Sequence, residues 1–247
     1  MRTRVFAIAV AMLVIIVFAC SCSSRTDMPR LPALIINGKK DGSPDEARYE
    51  SAVKVCENLG FACQRTPAMF VNMDVYKEAC GDHSDKDKEE RYVRGCMFAH
   101  KVAMEKIAKS QERHIVFEDD IRITDKYNVK GQLSKFLHDT ESNDIAYLGH
   151  CYGGMCTHAL AITPEGAQKA LQLVDWCDGS VPVDVQLKKL CDDGKLNCSY
   201  APPVSWWHTE RAEKVLKFFG FKRDSWTDGL VWQKEEDEGT VKDQAWF

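Results

Sequence analysis

Residues 114–123 read His-Ile-Val-Phe-Glu-Asp-Asp-Ile-Arg-Ile. The apolar run from Ile115 to Phe117 leads directly into three consecutive carboxylates, which predicts a buried strand whose acidic end leaves the core. Adjacent carboxylates repel one another and need a counter-charge, which a divalent cation with oxygen ligands can supply. The alternative is an acidic turn that is simply solvated. This stretch alone is compatible with both.

The surrounding pattern predicts an α/β domain. A strand over 33–37, a helix from Ser43 to Gly60 and a strand over 61–66 form a strand–helix–strand unit of the kind that opens a nucleotide-binding layer. Residues 69–88 are predicted to be a surface loop. A helix is expected to begin with residues 94–100 and to lead into the acidic strand. The elements expected after that strand are helix 129–141, strand 144–150, strand 157–162, helix 163–177, helix 181–190 and strand 197–204.

Composition and charge exclude one large class of function. The chain has 247 residues, 45% of them hydrophobic and 28% charged, which suffices for one full-sized α/β domain or two small ones. The net charge of −4 and the sequence pI of about 6.0 argue against a nucleic-acid-binding surface. No nucleic-acid partner is therefore expected.

The N-terminus carries an apolar segment, residues 5–19, behind Arg2 and Arg4. Positive charge in front of such a segment predicts a cytoplasmic N-terminus and an exported body. Three interpretations stay open: an uncleaved signal anchor, a cleaved signal peptide, and a lipoprotein signal that ends before Cys20. The anchor gives membrane attachment through this segment, whereas cleavage gives a secreted protein.

The cysteines suit an exported domain. The chain has 11 of them, and Cys20 and Cys22 lie at the predicted membrane edge. Most of the other nine should form disulfides, and because nine is odd, at least one is free or pairs between chains. The sequence contains no Cys-x-x-Cys pair, which argues against a structural zinc site. Asn197-Cys198-Ser199 fits the N-glycosylation pattern of a glycoprotein.

Four segments, in order and spacing, resemble glycosyltransferase family 25, the lipooligosaccharide and procollagen galactosyltransferase group. They match its Gly-Cys-x-x-Ser-His, hydrophobic strand with Glu-Asp-Asp, Tyr-Leu-Ile-x-x-x-Gly-Ala and Pro-Val-Asp patterns. The matching segments are Gly95 to His100, Ile115 to Asp120, Ala159 to Ala167, and Pro182 to Asp184. The resemblance covers the chain from about Leu34 to Val204, and it rests on the four motifs together because none is specific alone.

The resemblance implies a GT-A type of fold, with a mixed central sheet and helices on both faces. It implies inverting transfer of a hexose, galactose or glucose, from a UDP-sugar to a hydroxyl of a glycan or glycoprotein. Mn²⁺ or Mg²⁺ held by carboxylates at the strand end would neutralise the diphosphate. With the export signal, this suits a single-pass type II membrane protein facing the Golgi or endoplasmic-reticulum lumen. The predicted division is anchor or signal peptide 1–24, short stem 25–33, glycosyltransferase domain 34–232 and acidic tail 233–247.

Candidate donor and metal residues follow from the acidic strand end and the resemblance. On an extended strand alternate residues share a face, so Glu118 and Asp120 are expected on one side and Asp119 on the other. We predict Asp120 as the direct metal ligand and Glu118 as a ligand through water or a ribose contact. Asp119 is included because strand ends twist. Arg48, matched to an early arginine of the family, and His100 are candidate donor-binding residues, although a structural role suits His100 equally well.

Two further residues are candidates nearer the acceptor and the metal. Asp184 is predicted to be the general base that takes the proton of the acceptor hydroxyl; the alternative is an ordinary first-turn acid. His208 is predicted to complete the metal ligands, or else to pack with Trp206 and Trp207.

Departures from the family pattern keep a second function open. Ala99 stands where the family has Ser, which could weaken a helix-start hydrogen bond, and Gly38 stands where Leu is usual. These departures fit an inactive relative that acts as a lumenal carbohydrate-binding or assembly protein. A metal-dependent phosphoesterase would need a fuller ligand set than the sequence offers.

Overall fold

A computed structural model describes residues 30–38, 43–69, 73–83, 88–123, 129–151, 156–201, 227–229 and 231–233. Its elements follow in the order β1 (Pro32–Asn37), α1 (Glu46–Leu59), β2 (Ala62–Pro67), α2 (Asp74–Cys80), α3 (Lys88–Ala108), β3 (His114–Glu118), β4 (Ile121–Ile123), α4 (Val129–Asp139), β5 (Ile145–Cys151), β6 (Ala159–Ile162), α5 (Pro164–Leu173), α6 (Val183–Asp192), β7 (Cys198–Tyr200), β8 (Thr227–Gly229) and β9 (Val231–Gln233).

One mixed sheet organises these elements. Its order is β2-β1-β3-β6-β5-β7, with β8 also paired to β5, while β4 and β9 pair separately. β1 runs parallel to β2 and β3, and β6 runs antiparallel to both β3 and β5. The carboxyl ends of β1 and β3 therefore meet the amino end of β6 at the same edge of the sheet, which places the acidic residues beside the segment before β6.

Helices cover both faces of the sheet. Successive residues of β1 point to opposite faces, so that Leu34 packs with one buried cluster and Ile35 with the other. The cluster around Leu34 includes apolar residues of α3, α5 and α6. The cluster around Ile35 includes residues of α1 and α4. The predicted α/β class, with a mixed central sheet between helices, is confirmed.

The prediction that residues 69–88 form a surface loop is wrong in part. It contains α2, anchored by the fully buried Tyr76 and ended at Gly81, whose φ is 84°. The next helix also begins at Lys88, earlier than predicted. The charged residues before Arg94 suit a solvated loop, but they are also good helix formers. Conversely, α5 ends at Leu173 rather than near 177.

Disulfides link the elements, as an exported domain predicts. The pairs are Cys56–Cys63, Cys80–Cys177 and Cys191–Cys198, and Cys156 is also disulfide-bonded. Cys96 is free, which confirms the expectation from the odd count. Cys198, in the middle of the glycosylation pattern, is thus tied to Cys191.

The chain ends are described only in part. Within the described ranges no helix is both long and apolar enough to cross a membrane. Residues 1–29, which carry the predicted anchor or signal, lie outside those ranges. Gln233, assigned above to the acidic tail, lies in β9 opposite Ile121.

Candidate functional site

The acidic end of β3 does not continue as an extended strand. The strand ends at Glu118, and Asp119 and Asp120 form the turn before β4. One guanidinium, that of Arg48, lies 2.6 Å from Asp119 Oδ1 and 3.0 Å from Asp120 Oδ2. Ligand atoms of Glu118 and Asp120 lie within 4.8 Å of one another, which agrees with the prediction that these two residues share a side. Asp119 nevertheless reaches the same guanidinium as Asp120, because a turn does not keep the two-residue period of a strand.

Glu118 faces α3 and β6 and accepts three hydrogen bonds or ion pairs. Thr157 Oγ1 donates to Oε1 at 2.9 Å, His158 Nδ1 lies 3.0 Å from Oε2, and His100 Nε2 lies 3.3 Å from Oε1. Burial alone would raise the pKa of Glu118, but the hydrogen bonds from His100 and His158 hold it well below its ordinary value. Burial likewise lowers the pKa of His158, yet the contact with Glu118 outweighs this and raises it. The two pKa directions favour a Glu118 carboxylate paired with a His158 imidazolium, with the histidine buried and the glutamate half-buried.

Asp119, in the turn after β3, is buried beside the carboxyl end of β1. Asn37 Nδ2 donates to Asp119 Oδ2 at 2.7 Å, and the backbone N–H of Gly38 lies 3.3 Å from the same oxygen. Burial raises the pKa of Asp119, against the opposing charge of Arg48. Asn37 Oδ1 is buried and receives no hydrogen bond from the described part of the chain. It is an acceptor that a ligand donor could satisfy.

Gly38 has a steric reason to be glycine. A Cβ at this position would lie 2.6 Å from Ala68 Cβ, so the turn after β1 approaches the end of β2 too closely for a side chain. The leucine usual in the family could not occupy this position without a shift. Glycine therefore fits this tight turn, and its backbone N–H donates to Asp119.

Helix α3 presents a row of side chains to the acidic cluster. Tyr92, Cys96 and His100 are four residues apart and so share one face. Burial raises the pKa of Tyr92 to about 12 and also raises that of the Cys96 thiol. His100 lies in the middle of α3 rather than at a helix start, and Ala99 is fully buried in the apolar cluster. The expected loss of a helix-start hydrogen bond at Ala99 is therefore wrong.

Asp184 lies in the first turn of α6, next to the cluster. Its Oδ2 accepts a hydrogen bond of 3.2 Å from the backbone N–H of Cys156. Burial, Glu118 and, to a smaller extent, the charge of Asp184 raise the pKa of Cys96. The pKa of His158 is lowered by burial and raised by Glu118, with smaller upward contributions from Asp120 and Asp184. The half-buried carboxylate is thus held by a backbone donor and keeps acceptor capacity.

Among the residues that the structure describes, two groups of side chains have the composition and convergence of metal ligands. Ligand atoms of Glu118, Asp120 and His158 all lie within 4.8 Å of one another, as do those of Cys96, His100 and Glu118. Two carboxylates with an imidazole suit a hard divalent ion such as Mn²⁺. The first group thus fits the predicted metal, although Arg48 contacts the same Asp120 carboxylate. His208, predicted as the third ligand, lies outside the described residues.

His158 is a site residue that the sequence did not predict. β6 runs antiparallel to β3 with Ala159 opposite Phe117, and the N–H of Glu118 donates to the carbonyl of His158 at 3.0 Å. The residue before β6 is therefore the cross-strand neighbour of the first acid. The signal was available only once the direction and register of that pair were known.

No protein-family model matches the chain, and no curated protein matches it. Solved structures with a similar arrangement include mouse xyloside xylosyltransferase 1 without ligand (9% identity, 83% of this chain and 97% of that chain, TM-score 0.42). A second is the glycosyltransferase GlyE of Streptococcus pneumoniae (12% identity, 84% of this chain and 56% of that chain, TM-score 0.40). A third is described as a glucose-1-phosphate thymidylyltransferase of Bacillus anthracis in complex with sucrose (10% identity, 79% of this chain and 97% of that chain, TM-score 0.41). Likenesses this distant do not decide the function, which rests on the chain's own residues.

Proposed function

We propose that this chain is a metal-dependent glycosyltransferase of the GT-A type that moves a hexose from a UDP-sugar to a hydroxyl of a glycan or glycoprotein. The observation that carries the proposal is the convergence of Glu118, Asp120 and His158 at the carboxyl end of β3. Three of the four motifs that resemble family 25 contribute His100, Glu118 and Asp184 to this cluster or beside it, whereas the third starts next to it at Ala159 and runs along β6 to the opposite edge of the sheet. Mn²⁺, or Mg²⁺ in its place, would be held by these three residues and would supply positive charge for the departing diphosphate.

The donor side of the proposed site belongs to Arg48, Asp119 and Asn37. The Arg48 side chain is 38% exposed although Asp119 holds it at 2.6 Å, so its guanidinium can also face phosphate oxygens. Asp119 then acts as a positioning residue for Arg48 rather than as a metal ligand. Asn37 Oδ1 offers a buried acceptor for an N–H or O–H of the nucleoside. His100 supports the donor site through Glu118.

Asp184 is the proposed general base. Its carboxylate would accept the proton of the acceptor hydroxyl while that oxygen forms the new bond to the anomeric carbon and the bond to the diphosphate breaks. Attack opposite the leaving group gives the inversion that the family resemblance implies. The backbone N–H of Cys156 orients the carboxylate and leaves its second oxygen to face the acceptor.

The apolar N-terminal segment and the disulfides support placing this enzyme in an exported compartment, the Golgi or endoplasmic-reticulum lumen. An uncleaved segment would attach it to the membrane as a type II protein, and a cleaved one would release it. The disulfides are consistent with an oxidising lumen.

One observation favours a second candidate, an inactive carbohydrate-binding or assembly protein. Arg48 already neutralises Asp119 and Asp120, as an internal cation would in a site that has lost its metal. The two candidates differ in one property: an active transferase must bind a metal at Asp120 despite the Arg48 contact, whereas an inactive relative need not.

The test is a donor screen with the full-length purified chain. A panel of UDP- and other nucleotide-hexoses is incubated with and without Mn²⁺, and release of the nucleoside diphosphate is measured. We expect release from one UDP-hexose only when metal is present, and loss of that release in Asp120→Asn. The matched control is Asp139→Asn, which removes an exposed carboxylate paired with Lys135 on α4 and should leave turnover unchanged. Metal-independent turnover would contradict the proposal, and folded protein without turnover or UDP binding would favour the inactive relative.

A further inference from the structure

Glu118 also belongs to the second group of potential ligands, on the side of the cluster that faces α3. Ligand atoms of Cys96, His100 and Glu118 all lie within 4.8 Å of one another. Cys96 is a free cysteine, in contrast to the disulfide-bonded cysteines elsewhere in the described ranges. The proposed transfer reaction uses no thiol, so Cys96 has no role in it.

The backbone brings the three ligands together without distortion. Cys96 and His100 are one helical turn apart on the face of α3 that meets the end of β3. Thr157 Oγ1 lies 2.9 Å from Glu118 Oε1 and 3.3 Å from His100 Nε2 and closes the same small space with a further oxygen. His100 is only 1% exposed, and its Nδ1 has no hydrogen-bond partner in the described part of the chain.

The chemistry of this group differs from that of the Mn²⁺ site. A thiolate, a carboxylate and a neutral imidazole carry two negative charges, which balance a divalent ion in a largely buried place. Sulfur, nitrogen and carboxylate oxygen are the ligands that Zn²⁺ takes in tetrahedral sites, whereas Mn²⁺ and Mg²⁺ favour oxygen. Three protein ligands leave a fourth position for water.

We propose that Cys96, His100 and Glu118 form a Zn²⁺ site that shares Glu118 with the proposed Mn²⁺ site. Binding releases the thiol proton to solvent and forms the zinc–sulfur bond, with no change of oxidation state. Zn²⁺ bound to Glu118 neutralises the negative charge that this carboxylate would otherwise offer to a neighbouring Mn²⁺. Occupancy of the Zn²⁺ site therefore lowers the affinity of the Mn²⁺ site. Zn²⁺ is therefore an inhibitor of the enzyme and not a substitute for Mn²⁺. The inhibition rests on the proposed function, but the Zn²⁺ site itself does not.

The test uses Co²⁺ as a spectroscopic probe for Zn²⁺ in the full-length chain under argon. A thiolate bound to Co²⁺ gives a near-ultraviolet charge-transfer band, and a tetrahedral site gives intense visible bands. We expect one equivalent of Co²⁺ to give both in the wild-type protein, and one equivalent of Zn²⁺ to abolish them. Cys96→Ser should lose the charge-transfer band, keep its Mn²⁺ affinity and resist inhibition by Zn²⁺.

A second variant separates the two sites. His158→Gln removes a ligand of the Mn²⁺ site alone, so the cobalt bands should persist while Mn²⁺ affinity falls. A folded wild-type protein without the charge-transfer band, or a band that survives in Cys96→Ser, would overturn the Zn²⁺ site. Failure of the proposed function is recognised separately: the cobalt bands would then be present in a protein that binds no Mn²⁺ and turns over no UDP-sugar.

Discussion

Arg48 competes with the metal for Asp120, so its removal should make Mn²⁺ bind more tightly. In the structure the guanidinium lies 3.0 Å from Asp120 Oδ2, so its positive charge opposes a divalent ion that binds the same carboxylate. For unit charges at this distance Coulomb's law gives about 1.4 kcal/mol in water and about 5.5 kcal/mol at an effective dielectric constant of 20. Because the Arg48 side chain is 38% exposed, solvent screening favours the lower figure. A free-energy difference of about 1.4 kcal/mol is about tenfold in Kd.

The variant is Arg48→Gln, and the assay is titration of Mn²⁺ followed by the paramagnetic resonance signal of the free ion. We expect the Kd for Mn²⁺ to fall by about tenfold relative to wild type. UDP binding at saturating Mn²⁺ should weaken in the same variant, because the guanidinium is proposed to contact the phosphates. Arg65→Gln is the matched control, since it removes a guanidinium whose partner is Glu46 rather than the acidic turn. Unchanged or weaker Mn²⁺ binding in a folded Arg48→Gln protein would refute the competition.

Three further predictions concern the other groups of the site. In metal-free buffer His158→Gln should destabilise the fold by about 1–3 kcal/mol near pH 6 and by less near pH 9. Because the pKa of His158 is raised in the folded state, its contribution to stability is complete below the unfolded pKa of about 6.5 and is lost as pH rises through the folded pKa. Because the pKa of Glu118 is lowered in the folded state, its contribution to stability fades as pH falls below the unfolded pKa of about 4.3. Equal destabilisation at pH 6 and 9 in chemical denaturation would argue against the ion pair. Asp184→Asn should lower kcat by about 10²–10⁴-fold with Mn²⁺-dependent UDP binding intact, and near-normal turnover would remove Asp184 as the base. Gly38→Leu should cost about 1–3 kcal/mol through the clash with Ala68, seen as a lower Tm, and an unchanged Tm would contradict that contact.

The strand with its acidic end could be predicted from the sequence because the signal is local. The run from Ile115 to Phe117 is a central strand of the sheet, and the carboxylates after it lie at its carboxyl end as expected. Helix α6 with Asp184 in its first turn was also predictable, since Pro182 marks its start. These features depend on neighbouring residues only, which a single sequence contains.

Contacts across the sheet could not be predicted in the same way. His158 lies opposite Glu118 only because β6 runs antiparallel to β3, and no local pattern gives strand direction or register. The joint contact of Arg48 with Asp119 and Asp120 depends on a turn that breaks the strand period. Cys96 and His100 lay on the helix predicted from Arg94, but Tyr92 precedes that predicted start, and no local pattern shows that this face of α3 meets the end of β3.

The central claim is that the carboxylates at the end of β3 hold a metal that in turn holds the donor diphosphate. Calorimetric titration of the full-length chain with UDP, with and without Mn²⁺, tests it most directly in wild type, Asp120→Asn and the control Asp139→Asn. We expect UDP binding that requires Mn²⁺ in wild type and the control and that is lost in Asp120→Asn. UDP binding of equal strength without metal, or unchanged binding in Asp120→Asn, would contradict the claim.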